Sequence, residues 1–191
     1  MLIKSKKVWS SGQFLPLIVE VEDKKITAVY DYDAFDKVDY DFGTNRVLPG
    51  FIDVHTHGAD GADAMDGSEE ALRKISKYLV QEGTANFLAT TLTSSKEILK
   101  DVLKVVANLQ DKDIEGANIF GVHMEGPYFS VEYKGAQNDK YMKSAGIKEL
   151  EEYLSIKDGL VKLFSISPHN QENLEAIKFL VDKGVIASVG H

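Results

Sequence analysis

All five histidines of the sequence lie inside or directly after short apolar runs. They are His55, His57, His123, His169 and His191. In a series of parallel strands the carboxyl ends meet at one rim, and active sites are built there. Imidazoles that are far apart in the sequence are therefore expected to converge in space.

His55 and His57 form an H-x-H pair at the end of one of these runs. Residues two apart in an extended chain point to the same face, so both imidazoles can bind one cation. His123 and Glu125 share a face by the same rule. A carboxylate with two or three neutral imidazoles suits Zn²⁺, Fe²⁺ or Mn²⁺, and such a metal acidifies a bound water. Asp53 lies two residues before His55, so in an extended chain it points to the same face. It is a candidate partner that supports the metal-binding histidines.

The alternative for each of these side chains is a structural one. An isolated H-x-H is often no more than two surface or core histidines. Its position at a strand end, with His191 at another strand end, favours the metal site. An interior position explains His123 better, and a loop position before a helix explains His169. Glu125 is either a rim carboxylate satisfied by backbone amides or a functional group, and the following Gly126–Pro127 favours the second interpretation.

Two polar segments carry no recognisable chemistry by themselves. Gly58–Gly67 is rich in glycine and aspartate, but it lacks the EF-hand spacing and the glycine patterns that bind phosphate. A flexible rim loop is predicted there. Lys134–Asn138 is predicted to be a polar turn in the long segment after Met124.

The elements that must position these residues change in character along the chain. Residues 1–9, 14–22 and 25–30 are short strand patterns separated by tight turns, which predicts an antiparallel meander. Residues 31–46 are predicted to be a connection. From Val47 onward five apolar runs follow: Val47–Val54, Ala85–Thr91, Asn118–Met124, Val161–Ser167 and Val185–Val189.

Helical patterns lie between the apolar runs. Ser68 is the predicted N-cap of a helix over 69–82, and Ser94–Glu97 is a predicted capping box. A third helix is predicted over 147–156, and a fourth follows Asn170 and ends at Gly184. Strands that alternate with helices indicate βαβ units and a parallel sheet, so the fold class is α/β. A (β/α)8 barrel takes about 250 residues, so we expect that about three strand–helix units lie outside this chain.

The composition excludes several classes of protein. The 191 residues contain no cysteine, which excludes disulfides and thiolate metal sites. The formal net charge of −8 counts against nucleic acids and anionic membranes as partners. The apolar runs are too short to span a bilayer, and the N-terminus has no signal-peptide pattern. We therefore expect a cytoplasmic protein with no membrane and no nucleic-acid partner.

Several segments together resemble one family, the N-acetylglucosamine-6-phosphate deacetylases of the amidohydrolase superfamily. The first segment, Leu48–Gly58, is shared by many amidohydrolases, whereas the H-x-E-G-P and K-G-A-x-N patterns are much more specific to the sugar-phosphate deacetylases. The resemblance runs in order through residues 1–191. The segments that carry it are LPGFIDVHTHG, FLATT, GVHMEGPY, KGAQN and SVGH, which begin at Leu48, Phe87, Gly121, Lys134 and Ser188.

The resemblance implies a (β/α)8 TIM barrel of the metal-dependent hydrolase type with a small β-sandwich domain. Residues 1–46 would be part of the β-sandwich, and residues 47–191 would be the N-terminal part of the barrel. The implied cofactor is one or two divalent ions, zinc or iron. The implied metal ligands are His55, His57, Glu125 and His191, and the implied substrate-binding residues are Ala136, Gln137 and Asn138.

The implied reaction is hydrolysis of the acetamide of N-acetylglucosamine 6-phosphate to glucosamine 6-phosphate and acetate, by an enzyme that is a homodimer when whole. No residue of the chain matches the family's general-base aspartate, so no catalytic acid or base is assigned, and the chain alone is expected to be inactive. Two alternatives stay open: an amidohydrolase that acts on a cyclic amide, and an inactive fragment that only binds metal or assembles. The absence of lysine near Pro168, where cyclic amidohydrolases carry a bridging ligand, favours the deacetylase.

Overall fold

The computed structural model describes residues 1–191, which divide into two units, Met1–Gly50 and Phe51–His191. The first unit holds one five-stranded sheet in the order β3-β2-β1-β4, with β5 also paired to β1. Its strands are β1 (Leu2–Ser10), β2 (Gln13–Glu22), β3 (Lys25–Asp31), β4 (Tyr40–Asp41) and β5 (Arg46–Val47).

The predicted meander is confirmed, because β1, β2 and β3 pair antiparallel in sequence order. Both turns are two residues long, and Ser11, Gly12, Asp23 and Lys24 all have positive φ. That backbone geometry matches the twist of the flanking strands. The predicted connection over 31–46 is correct in the main, but it contributes two short strands that pair in parallel with β1.

The second unit is built around a parallel five-stranded sheet in the order β12-β11-β10-β9-β6. This is the strand–helix alternation predicted from the apolar runs, and it has the form of an open half-barrel. Its elements are β6 (Phe51–Thr56), β7 (Gly58–Ala59), β8 (Ala62–Asp63), α1 (Glu69–Gln81), β9 (Thr84–Thr90), α2 (Lys96–Leu109), β10 (Asn118–Glu125), α3 (Ile147–Leu154), β11 (Val161–Ile166), α4 (Gln171–Asp182) and β12 (Ile186–Val189).

The helix starts follow the capping residues, with one correction. The side chain of Ser68 accepts a hydrogen bond from Ala71 N at the start of α1, as predicted. The capping box predicted from Ser94 was wrong, because Ser95 has the extended backbone of an N-cap and accepts from Ile98 N at 3.4 Å. The helix thus begins one residue later, and Glu97 is its second residue rather than the third that a capping box requires.

Two other expectations are corrected by the structure. The run Val47–Val54 is not one strand: β5 ends at Val47 and β6 begins at Phe51, since Pro49 has no N–H to donate to a ladder. The loop over Gly58–Gly67 is not irregular but forms the β7–β8 hairpin and a 3-10 turn over Ala64–Asp66. Asp63 caps that turn, accepting from Met65 N at 2.8 Å.

β10 is the central strand of the parallel sheet, and the core of the second unit packs against it. Leu72 and Ile75 of α1, with Leu99 and Leu103 of α2, are each at most 1% exposed and pack against the strands. Phe87 of β9 and neighbouring residues of β10 are buried in the same cluster. The carboxyl end of β10 therefore lies on a closely packed support. No helix of the structure is long and apolar enough to cross a membrane.

Candidate metal centre

The carboxylate of Glu125 is the centre on which three imidazoles converge. Glu125 is the last residue of β10 and is 6% exposed. His57 Nε2 lies 3.1 Å from Glu125 Oε2, while His55 Nε2 and His191 Nε2 lie 3.5 and 3.3 Å from Oε1. Potential ligand atoms of His55, His57 and Glu125 all lie within 4.8 Å of one another. The structure thus brings together all four residues predicted as ligands.

The outer nitrogens of two of these rings face backbone carbonyls. His57 Nδ1 lies 3.2 Å from Thr90 O, and His191 Nδ1 lies 3.3 Å from Tyr133 O. A carbonyl oxygen only accepts hydrogen bonds, so a neutral ring that donates from Nδ1 keeps its lone pair on Nε2. Nε2 of both rings faces Glu125, and a ring held through Nδ1 by a carbonyl is the arrangement of many metal-binding histidines.

The main chain and side chain of Glu125 are both held by neighbouring residues. Its backbone N–H donates to Thr91 Oγ1 at 3.3 Å, and Gln137 Nε2 donates to its Oε2 at 3.0 Å. Gln137 Oε1 in turn accepts from Thr93 N at 2.8 Å. Gly126 follows at φ +87°, where a Cβ atom would come within 2.1 Å of Thr93 Oγ1. The end of β10 is thus fixed from the segment that follows β9.

His123 occupies the interior position predicted for it. It is 1% exposed, its Nε2 lies 2.8 Å from Ser165 Oγ, and its ring packs edge-on against His55. Burial, together with repulsion from the neighbouring His55, lowers the pKa of His123 to about 4. Its imidazole is therefore neutral at pH 7.

The structure also places the remaining predicted side chains. His169 is an exposed loop residue before α4, hydrogen-bonded to Ser167 and Asn170, as predicted. Asp53 Oδ1 accepts from the backbone N of His55 at 3.0 Å, so its carboxylate holds the chain at this position rather than the His55 ring.

The predicted substrate turn is divided between exposed and buried residues. Ala136 and Asn138 are exposed, and Asn138 Oδ1 accepts from Lys140 N at 3.1 Å. Gln137 is 6% exposed, and both ends of its amide contact protein groups.

The threonines at the end of β9 and directly after it were not predicted to support the site. Thr90 supports His57 and, through its hydroxyl, Thr56 N, while Thr91 and Thr93 support Glu125 and Gln137. The signal available in the sequence was a threonine-rich end to an apolar strand.

The donor set fits a divalent cation. Three imidazoles and one carboxylate are the nitrogen and oxygen ligands that Zn²⁺ and Fe²⁺ accept. In the tautomer that donates from Nδ1 to a carbonyl, Nε2 of His57 and of His191 would face a carboxylate oxygen lone pair to lone pair, an arrangement that a cation between them makes favourable. A bound cation would satisfy all of these acceptors together.

Comparison with known sequences places this geometry in context. The model of the Amidohydrolase family matches residues 46–189. The N-acetylglucosamine-6-phosphate deacetylase of Vibrio furnissii is 32% identical over 171 residues, which are 89% of this chain and 43% of that protein. The chain thus spans less than half the length of this relative.

Solved structures show the same likeness. The N-acetyl-D-glucosamine-6-phosphate deacetylase of Mycobacterium smegmatis superposes with a TM-score of 0.91 at 26% identity, over all of this chain and 54% of that one. A mutant of that enzyme in complex with N-acetyl-D-glucosamine-6-phosphate superposes with a TM-score of 0.89 at 26% identity, over all of this chain and 49% of that one.

Proposed function

Because the chain belongs to the amidohydrolase family, we propose that its histidine–glutamate cluster binds a divalent metal for hydrolysis of the acetamide of N-acetylglucosamine 6-phosphate. The products of the whole protein are then glucosamine 6-phosphate and acetate. The observation that carries the proposal is the convergence of three imidazoles on Glu125 at 3.1 to 3.5 Å. The similar enzyme of Mycobacterium smegmatis, named for this substrate, supports the choice of amide.

The proposed ligands are His55, His57, Glu125 and His191, and the proposed metal is zinc or iron, as one ion or two. A metal held by these groups would supply Lewis-acid chemistry for the acetamide carbonyl and would lower the pKa of a bound water. The part of the protein is to hold the donors: carbonyls fix the rings of His57 and His191, and Thr91 and Gln137 fix Glu125. We assign the proton-transfer role to no residue of this chain.

The turn over Ala136, Gln137 and Asn138 is the proposed contact with the sugar. Ala136 and Asn138 are exposed, and Gln137 links the turn directly to Glu125. The Nδ2 group of Asn138 is the donor that suits a sugar hydroxyl, because its Oδ1 is already used by Lys140 N. β11 has no lysine near its carboxyl end, where cyclic amidohydrolases carry a bridging ligand, which favours the deacetylase.

The partners and location complete the proposal. The phosphorylated substrate is charged and does not cross a bilayer unaided, so a cytoplasmic enzyme is proposed. A homodimer is proposed for the whole protein from its resemblance to the deacetylases. Sedimentation of the native gene product tests the dimer, and fractionation of cells tests the location.

Replacement of Glu125 tests the proposed function. In the native gene product, Glu125→Gln keeps the side-chain shape but removes the charge that the metal requires, so bound metal and acetate release should both be lost. Glu132→Gln, which changes an exposed carboxylate in the segment after β10, is the matched control. The measurements are metal content per chain by mass spectrometry and acetate release from N-acetylglucosamine 6-phosphate.

The two readouts separate the parts of the proposal. Unchanged metal content in Glu125→Gln would overturn the metal site. A wild-type protein that binds metal but releases no acetate would keep the site and overturn the substrate, and related amides would then be assayed.

A further inference from the structure

Gln137 is buried and links two segments of the rim. Its Nε2 donates to Glu125 Oε2 at 3.0 Å, and its Oε1 accepts from Thr93 N at 2.8 Å. One amide therefore connects the end of β10 to the segment between β9 and α2. At 6% exposure, the side chain makes both hydrogen bonds away from water.

With both ends of its amide already hydrogen-bonded inside the protein, the side chain of Gln137 is not available to bind a sugar. A ligand hydroxyl that took the place of Glu125 or Thr93 would leave a buried carboxylate or a buried N–H without its partner, which is unfavourable. The neighbours Ala136 and Asn138 are exposed and do not hold a buried group in place. Within the turn, Gln137 is thus set apart from the residues that face outward.

The hydrogen bond decides which carboxylate oxygen is available. Oε2 of Glu125 receives Gln137 Nε2 and lies 3.1 Å from His57 Nε2, whereas Oε1 faces His55 and His191 at 3.5 and 3.3 Å. A carboxylate anchored at one oxygen cannot rotate freely, so the other oxygen stays between the two imidazoles. The bond is also charge-assisted, which makes it stronger than a bond between neutral groups.

We propose that Gln137 is a positioning residue that fixes the carboxylate of Glu125 for metal binding, rather than a group that binds the sugar through its side chain. This inference rests on the metal site of the proposed function and deepens it. Thr93 is the second anchor, and Gly126 permits its close approach, since a Cβ at Gly126 would meet Thr93 Oγ1.

Cobalt binding tests the proposal without reference to turnover. Gln137→Met keeps the length of the side chain but removes the donor, and Gln137→Ala removes both hydrogen bonds. Each variant of the native gene product should bind Co²⁺ about 10- to 100-fold more weakly, with an altered visible absorption spectrum. Lys140→Ala, which changes an exposed side chain just after the turn, should bind Co²⁺ with wild-type affinity.

Steady-state kinetics provide the second readout. With saturating metal, a positioning role predicts a lower kcat and a nearly unchanged KM for N-acetylglucosamine 6-phosphate. Wild-type Co²⁺ affinity combined with a raised KM would overturn the proposal and make Gln137 a substrate contact.

A measurement on the wild-type protein tests the proposal even when the variants fail to fold. The Gln137 side-chain amide protons, assigned by ¹⁵N NMR in the metal-free protein, should exchange with water far more slowly than those of exposed Gln13. Equal exchange rates would overturn the proposal. If the wild-type protein binds no Co²⁺, the proposed metal site fails, whereas the amide exchange still decides whether Gln137 holds Glu125.

Discussion

His57 Nδ1 lies 3.2 Å from the carbonyl oxygen of Thr90, and the opposite nitrogen of the ring, Nε2, lies 3.1 Å from Glu125 Oε2. The ring is thus held from both sides. The ring of His55, by contrast, packs edge-on against two other imidazoles, and its side chain is 49% exposed. The two members of the H-x-H pair are therefore not equivalent.

His57→Ala should weaken metal binding more than His55→Ala does. His57 is already oriented by Thr90, so little conformational freedom is lost when it binds a cation, whereas the half-exposed His55 must be ordered. A chelator competition titration with Zn²⁺ measures both affinities. His169→Ala, which removes a loop histidine outside the cluster, should leave the affinity unchanged. Equal losses for the two variants, or a larger loss for His55→Ala, would contradict this ranking.

Gly126→Ala should destabilise the protein more than a positive φ alone explains. A Cβ atom at Gly126 would come within 2.1 Å of Thr93 Oγ1, whereas Gly184 has a comparable φ of +76° and open space around it. Gly184→Ala should cost about 1–2 kcal/mol of unfolding free energy for its backbone conformation. Gly126→Ala should cost about 1–3 kcal/mol more, because the added methyl group overpacks its surroundings. Urea denaturation measures both.

A second substitution identifies the cause of that loss. Thr93 Oγ1 is buried and has no hydrogen-bond partner, so Thr93→Ala removes the clashing atom without leaving another group unpaired. Thr93→Ala in the Gly126→Ala background should recover most of the additional loss. Failure to recover would show that the hydroxyl is not the obstacle.

The ionisation of Glu149 should make the free energy of unfolding depend on pH in the acidic range. Burial alone would raise the pKa of this carboxyl group, but hydrogen bonds from Lys143, Tyr153 and Tyr128 outweigh it and hold the pKa below its ordinary value of 4.5. The folded state thus favours the charged form. The resulting stability is fully present above pH 4.5 and is lost as the pH falls through the lower folded-state pKa.

Glu149→Gln removes this contribution. The variant should lose about 1–3 kcal/mol of unfolding free energy at pH 7, since the charge-assisted bonds are weakened, and should be less sensitive to acid below pH 4.5. Urea denaturation from pH 3 to 7 tests the prediction, with Glu151→Gln on the exposed side of α3 as the control. An unchanged pH profile for Glu149→Gln would show that the carboxylate carries no such linkage.

Much of the fold follows from local patterns in the sequence. The meander, the alternation of strands with helices, the cap at Ser68 and the start of a helix after Asn170 each depend on neighbouring residues, and each was predicted. The errors at Ser94 and Val47 are shifts of a boundary. At Ser94–Ser95 two equivalent capping residues stand side by side, and at Pro49 the proline interrupts a continuous apolar run.

The candidate site was predictable only in part. Strand-end histidines and Glu125 were identified because parallel strands bring their carboxyl ends together. Gln137 is 12 positions from Glu125 and 44 positions from Thr93 in the sequence. Local sequence patterns do not predict contacts between residues so far apart. The support from Thr90 to His57 comes from a backbone carbonyl, which every residue has, so side-chain chemistry in the sequence cannot reveal it.

His191 follows β12, so it is synthesised after the other three proposed metal ligands. Glu125 and His191 are 66 residues apart, and a ribosome adds about 5–20 residues per second, so the fourth donor is synthesised seconds after the third. During that interval a growing chain offers a cation only the imidazoles near β6 and one carboxylate. Coordination by all four proposed donors is thus expected only after β12 has been synthesised and has paired with β11.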